Sequence, residues 1–252
     1  MIILLSAAIL PVLLILYAVY RADKVNREPL GKLIVVFLCG AMTVAPAALL
    51  ESVLSAFEPA GALTGGLFRG FCVAGFSEEL FKLSVLLLVV WRSRHFDEYF
   101  DGIVYAVFAS MGFACVENVM YVFSSDSYSG SLATAAMRAV LSVPGHFLFA
   151  VMMGYWFALA KFSFNRRKRY MLFAFLVPVL FHGTFDALLM IPEGIEDEGM
   201  RWIFSSLFFV VFIWFDIKMW KWGIRRIKEL QRLSEQQGEA ARSAFDGFQW
   251  NF

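Results

Sequence analysis

The sequence predicts an all-α, polytopic transmembrane helical bundle with about seven spans, on three observations. Of the 252 residues, 60% are hydrophobic, whereas a soluble domain usually has roughly 45–50% apolar residues. Several separate runs exceed the 18 or so apolar residues needed to cross a hydrocarbon core of about 30 Å. The alternating pattern of a membrane barrel is absent, so helices are the remaining structure that satisfies every backbone polar group in lipid.

The apolar runs place the spans along the chain. We expect the spans at about 2–20, 33–56, 66–91, 101–123, 134–161, 169–191 and 200–222, with boundaries good to roughly 2–4 residues. Pro46, Pro144 and Pro178 fall inside these spans, where proline usually produces a kink.

The basic residues predict the orientation of the bundle. All but four of the 22 basic residues lie after the first, third and fifth spans or in the tail, and such a bias marks the cytoplasmic side. We therefore expect the N-terminus outside and the C-terminus in the cytoplasm. Residues 223–252 are predicted to form a cytoplasmic, basic amphipathic tail that lies on the lipid bilayer. The net charge of +1 gives no indication of a nucleic-acid partner, and none is expected.

Ionisable residues inside the spans are the candidate functional residues, because a charge at the centre of a span costs about 2.5–3.5 kcal/mol. The third to sixth predicted spans contain Glu78, Glu79, Lys82, Glu117, Asn118, His146, His182 and Asp186. Counted from the outer ends at about 1.5 Å per residue, the acids and imidazoles fall in the middle-to-outer part of the bilayer. Their agreement in depth predicts one shared polar cavity.

Spacing within the helices supports the same cavity. Glu78 and Glu79 lie four and three residues before Lys82, so the ammonium can reach either carboxylate as a structural counter-ion. Two adjacent carboxylates in a low-dielectric site do not both ionise easily, and such a pair can supply a base and a proton donor. Adjacent helix positions diverge by about 100°, so we expect only one of the two to face the cavity. His182 and Asp186 share a helix face, and Asn118 suits either helix–helix contact or the site.

Four segments of the chain resemble the motifs of a known family. They are "EELFK" at 78–82, "GFACVENVMY" at 112–121, "PGHFLFAVMMGY" at 144–155 and "FHGTFD" at 181–186. In this order they resemble the PrsW family of intramembrane proteases, which is related to the CAAX-processing and bacteriocin-immunity protease superfamily.

The resemblance implies an integral membrane protease domain over residues 1–222, with a catalytic core at about 66–191, in the bacterial cytoplasmic (inner) membrane. The implied substrate is a single-pass membrane protein such as an anti-sigma factor. The implied reaction is first-site cleavage on the extracytoplasmic side, as part of a stress response.

The resemblance also implies roles for particular residues. Glu78 or Glu79 would activate water, and His182 with Asp186 would belong to the catalytic centre. The wider superfamily commonly has a histidine where this sequence has Glu117, so His146 is expected to supply the imidazole instead.

Two alternatives remain open at this point. Catalysis by glutamate and histidine is favoured and no cofactor is favoured, but Glu79, Glu117, His146 and His182 form a plausible zinc set, although the chain has no HExxH helix. The same residues also suit the relay of a proton- or ion-coupled transporter. The odd number of spans and the absence of paired, broken half-repeats favour the protease.

Overall fold

The computed structural model describes the backbone of residues 1–249 and the side chains of residues 1–243. Over that part of the chain the structure is helical and contains no strand. The helices are α1 (Ile2–Ala22), α2 (Leu30–Met42), α3 (Val44–Ser55), α4 (Ala62–Phe68), α5 (Phe76–Val85), α6 (Asp101–Phe123), α7 (Tyr128–Met137), α8 (Val143–Phe162), α9 (Arg167–Glu193) and α10 (Glu198–Gln249). The side chains of the aromatic C-terminal segment "FDGFQWNF" lie outside the described residues.

The predicted helical membrane bundle is confirmed. Within the described residues, six helical segments are long and apolar enough to cross a membrane: Ile2–Ala22, Leu30–Ser55, Asp101–Phe123, Tyr128–Phe162, Phe164–Glu193 and Glu198–Ser243. The remaining predicted span, the third, is also helical from residue 62 to residue 90. It is not among the six apolar segments, and it carries Glu78, Glu79 and Lys82.

Three of the predicted spans consist of two helices each, namely the second, the third (α4 and α5) and the fifth. α2 and α3 form the second span, and the helix is interrupted at Thr43. Pro46 explains the interruption, because its ring displaces the carbonyl of the residue four positions earlier and it has no N–H to donate. α7 and α8 form the fifth span and are joined by a wider π-helical turn, Arg138–Ser142. This span begins at Tyr128, before the expected residue 134.

Glycine allows the helix that carries the acids to approach α9. A π-helical turn, Arg69–Gly75, joins α4 to α5. A Cβ atom placed on Gly70 would lie 2.6 Å from the carbonyl oxygen of Gly183 and 2.8 Å from the backbone nitrogen of Ala187, both on α9. Only a residue without a side chain fits here, and the contact holds α5 beside the imidazole of His182.

One end of the bundle is closed by the second half of α10, and we call it the tail end. Gln231 Nε2–H donates to the carbonyl of Ala22 at 2.9 Å, and the N–H of Phe100 donates to Ser234 Oγ at 2.8 Å. Leu230, which lies in the tail expected on the bilayer surface, is fully buried against the bundle. That this end faces the cytoplasm remains a prediction.

Candidate active site

Lys82 lies between the two adjacent glutamates of α5. Its ammonium is 2.9 Å from Glu78 Oε2 and 2.8 Å from Glu79 Oε1, and all three side chains are buried. Both carboxylates contact Lys82, but only Glu78 keeps some exposure, and the expectation that one of the two faces the site stays a prediction. Although adjacent positions diverge on a helix, a lysine one turn later draws both carboxylates to the same point.

His182 of α9 connects Glu79 to Asp186. Its Nδ1 lies 2.9 Å from Glu79 Oε1, and its Nε2 lies 3.3 Å from Asp186 Oδ2 and 4.0 Å from Glu78 Oε2. Since a carboxylate accepts hydrogen bonds, both ring nitrogens are placed to donate. The ring of Phe149 stacks on the imidazole with centroids 4.5 Å apart, which fixes its orientation.

His146 of α8 connects Lys82 to Glu117. Its Nδ1 lies 3.1 Å from Lys82 Nζ and 3.9 Å from Glu78 Oε2, and its Nε2 lies 2.8 Å from Glu117 Oε2. An ammonium can only donate, so Nδ1 accepts and Nε2–H donates to Glu117. The structure therefore brings all of the predicted acids and imidazoles into one connected cluster, which we call the intramembrane cluster.

Arg138, in the π-helical turn before α8, also belongs to the intramembrane cluster. Its guanidinium lies 2.9 Å from Glu117 Oε2 and donates to Asn118 Oδ1 at 2.6 Å. Asn118 in turn donates to the backbone carbonyl of Ala8 on α1 at 3.1 Å, so it links two helices as well as holding Arg138. Sequence reasoning missed Arg138, although its position inside a predicted span was a signal that it could contact the acids.

Glu51 of α3 is a second residue that the sequence interpretation missed. Its carboxylate is partly buried, and the charges that act on it include Glu117, Lys82 and His182. It lies near the end of its span, where a charged residue is usually taken for an interfacial one. The packing of α3 against α5 brings it near the intramembrane cluster.

The donor atoms of the intramembrane cluster fit a divalent metal ion. Donors from Glu78, Glu117 and His146 lie within 4.8 Å of one another, and so do donors from Glu78, Glu79 and His182. Glu79 Oε2 is buried without a hydrogen-bond partner, so the second group has one carboxylate oxygen available as a metal ligand. Imidazole and carboxylate are usual zinc ligands. Glu78, which the predicted zinc set left out, is common to both groups.

Intramembrane hydrolases are one class of protein that buries connected carboxylates and imidazoles in a helical membrane bundle. Comparison with known proteins places the chain within that class. Residues 28–215 match the family described as "PrsW family intramembrane metalloprotease". The chain belongs to this family and is a multi-pass bacterial membrane protease.

Curated relatives named Protease PrsW align over most of the chain. The Clostridioides difficile protein is 38% identical over 210 residues, which cover 82% of this chain and 85% of the relative. The Geobacillus kaustophilus protein is 32% identical, with coverage of 93% and 95%. The Bacillus subtilis protein is also 32% identical, with coverage of 92% and 97%. No solved structure matches the chain.

Proposed function

We propose that the chain is an endopeptidase that hydrolyses a single-pass membrane protein, such as an anti-sigma factor, on its extracytoplasmic side. Two observations support this substrate and this side. The resemblance of the four motifs to the family implies first-site cleavage. The residue count along the spans puts the acids and imidazoles closer to the predicted outer face.

Glu78 is the base in this proposal. Its carboxylate lies 3.9 Å from His146 Nδ1, with Lys82 Nζ in contact with both, and 4.0 Å from His182 Nε2. Glu78 is also 6% exposed, whereas Glu79 is fully buried. This placement of a reachable carboxylate between two imidazoles is the observation that carries the proposal. Glu78 takes a proton from water as the water oxygen attacks the peptide carbonyl.

The remaining residues position and exchange protons. His182 donates a proton from Nε2 to the leaving amine or to the developing oxyanion. Glu79 and Asp186 hold the His182 ring from both sides, and Lys82 keeps its two glutamates in place. Glu117 orients His146 through Nε2–H, which leaves Nδ1 turned toward Glu78.

In the metal-dependent form of the proposal, Glu78, Glu79 and His182 would hold a divalent ion, and the His182 nitrogen that binds the ion would carry no proton. The chemistry that such an ion supplies when bound is Lewis-acid polarisation of the scissile carbonyl. The family description names a metalloprotease, and the spare oxygen of Glu79 supports this over catalysis by glutamate and histidine alone. Removal of metal from purified protein with a chelator should then abolish cleavage, and zinc should restore it. Cleavage that persists after complete removal would overturn the metal-dependent form.

Quantitative membrane proteomics tests the substrate class. Cells with the wild-type chain are compared with cells that carry Glu78→Gln, Glu79→Gln or His182→Ala, under envelope stress. Glu196→Gln, which changes an exposed loop acid, is the matched control. We expect one or two single-pass proteins to accumulate at full length in the three site variants and not in the control. If well-expressed site variants leave every single-pass protein unchanged, the proposal fails.

A further inference from the structure

A second group of buried acids lies at the tail end of the bundle and shares no residue with the intramembrane cluster. Asp23 follows α1, Glu98 lies in the loop before α6, and Asp101 is the first residue of α6. Their exposed fractions are 0%, 4% and 0%. One carboxylate oxygen from each lies within 4.8 Å of the others. We call these three residues the tail-end cluster.

Each carboxylate of the tail-end cluster has a buried oxygen without a hydrogen-bond partner. These are Asp23 Oδ1, Glu98 Oε1 and Asp101 Oδ1. The second oxygens of the two aspartates are held by backbone N–H groups. Glu28 N–H donates to Asp23 Oδ2 at 3.2 Å, and Asp97 and Glu98 N–H donate to Asp101 Oδ2 at 3.0 and 2.8 Å. A buried oxygen that lacks a partner is costly in free energy, so three together indicate a missing ligand.

The chain supplies no cation to these oxygens. Among the described residues, no lysine, arginine or histidine nitrogen lies within 4.0 Å of the three carboxylates. Arg27 is close, but its Nε–H donates to the backbone carbonyl of Asp23 at 3.0 Å. The adjacent Glu28, whose N–H donates to Asp23 Oδ2, adds a further acid. The described basic side chains therefore form no ion pair with the three carboxylates.

A small polar cavity adjoins the tail-end cluster. Its volume is about 40 Å³, and its lining includes Asp23, Glu98 and Ser234. A cavity needs only about 10–15 Å³ to hold one water molecule, so an ion with a water ligand fits. The three oxygens lie no more than 4.8 Å apart, which is compatible with ligands of one Ca²⁺ ion, since its oxygen ligands at 2.3–2.6 Å are separated by at most about 4.6–5.2 Å.

We propose that Asp23, Glu98 and Asp101 bind a hard divalent cation of the Mg²⁺ or Ca²⁺ class at the tail end of the bundle. All-oxygen donors select these ions over zinc, which prefers nitrogen and sulfur. The ion joins the end of α1, the loop before α6 and the start of α6. It also completes the surface against which Ser234 of α10 packs. This site is separate from the metal-binding groups of the intramembrane cluster.

Thermal unfolding of the purified full-length protein in detergent tests this site. The protein is stripped with a chelator and then titrated with MgCl₂ or CaCl₂ alone. We expect the Tm to rise by roughly 5–10 °C at about 100 times the Kd, and elemental analysis to find one Mg²⁺ or Ca²⁺ per chain. An unchanged Tm together with no bound ion would overturn the proposal, and would mean that protons neutralise the three acids instead.

Matched variants locate the ion. Glu98→Gln and Asp101→Asn should lose the Tm shift, because each removes a charged oxygen ligand. Asp97→Asn is the control and should keep the shift, since the Asp97 carboxylate is exposed and accepts from Asn26 Nδ2 at 3.2 Å. Glu78→Gln should also keep it, because the intramembrane cluster is a different site. A shift that survives in Glu98→Gln would refute the assignment, even if Asp101→Asn does not fold.

Discussion

The intramembrane cluster and the tail-end cluster bury similar acids but neutralise them differently. In the first, Lys82 and Arg138 lie 2.8–2.9 Å from the carboxylates of Glu78, Glu79 and Glu117. In the second, three carboxylates keep unpartnered oxygens and have no basic partner among the described residues. A buried charge is stable only when it is paired, protonated or bound to a metal. In the first cluster the chain supplies two cations of its own, while in the second we propose that the cation comes from solution.

The largest difference between the clusters should be in catalysis. Glu78→Gln should lower the rate of peptide cleavage by on the order of 10²–10⁴-fold, because it removes the proposed general base. Glu98→Gln, the same acid-to-amide change in the tail-end cluster, should leave the rate of the folded enzyme unchanged. Single-turnover cleavage of a purified single-pass substrate in proteoliposomes measures both. Equal losses in the two variants would contradict the separation of roles.

Replacing Lys82 tests whether its ammonium stabilises the buried carboxylates of Glu78 and Glu79. Lys82→Met leaves Glu78 and Glu79 buried without their cation, so it should cost about 3–5 kcal/mol of unfolding free energy. Adding Glu78→Gln to this variant should recover part of the loss. Denaturant unfolding in detergent gives both values. A cost below about 1 kcal/mol would mean that the pairing contributes little.

The second cation of the intramembrane cluster should have a smaller effect. Arg138→Gln removes the ion pair with Glu117 and the charged hydrogen bond to Asn118, a bond of a kind worth about 1.5–3 kcal/mol. Arg138→Lys should restore only part of the lost unfolding free energy. A compact ammonium cannot contact Glu117 and Asn118 at the same time with the geometry of a planar guanidinium. Unfolding measurements on the two variants provide the comparison, and full recovery by lysine would show that charge alone matters here.

Packing beneath the intramembrane cluster can be disturbed without changing a charge. Gly70→Ala should destabilise the protein by about 1–3 kcal/mol, because the new methyl group meets the backbone of Gly183. Gly31→Ala is the matched control, since its Cβ would have nothing within 4 Å. Gly70→Ala should lower cleavage activity but keep the response of the Tm to Mg²⁺ or Ca²⁺. Loss of that response would show that the two clusters are coupled.

The smallest effect is expected at the edge of the tail-end cluster. Asp97 is exposed, so Asp97→Asn should change the unfolding free energy by no more than about 0.5 kcal/mol. The same denaturant measurement checks it. A larger change would mean that the tail-end cluster extends to the surface.

Most of the intramembrane cluster could be predicted from the sequence alone. An ionisable residue inside an apolar span is costly, so each one can be recognised as a candidate without knowledge of its partners. This reasoning identified Glu78, Glu117, His146 and His182. Glu51 and Arg138 were missed because a charge near the end of a span has an interfacial explanation that requires no partner. The three acids of the tail-end cluster were missed for a similar reason, since acids in loops are normally solvated.

The sequence by itself determined the helical membrane bundle, the approximate spans and the residue types that can exchange protons within them. Hydropathy and helical spacing are local properties, and they can be summed along the chain without knowledge of any distant residue. The tertiary structure decided that both Glu78 and Glu79 contact Lys82, that Arg138 pairs with Glu117, and that three acids from two separate segments meet at the tail end. These contacts depend on how closely the helices pack and how they are rotated, which many side chains along each helix set together.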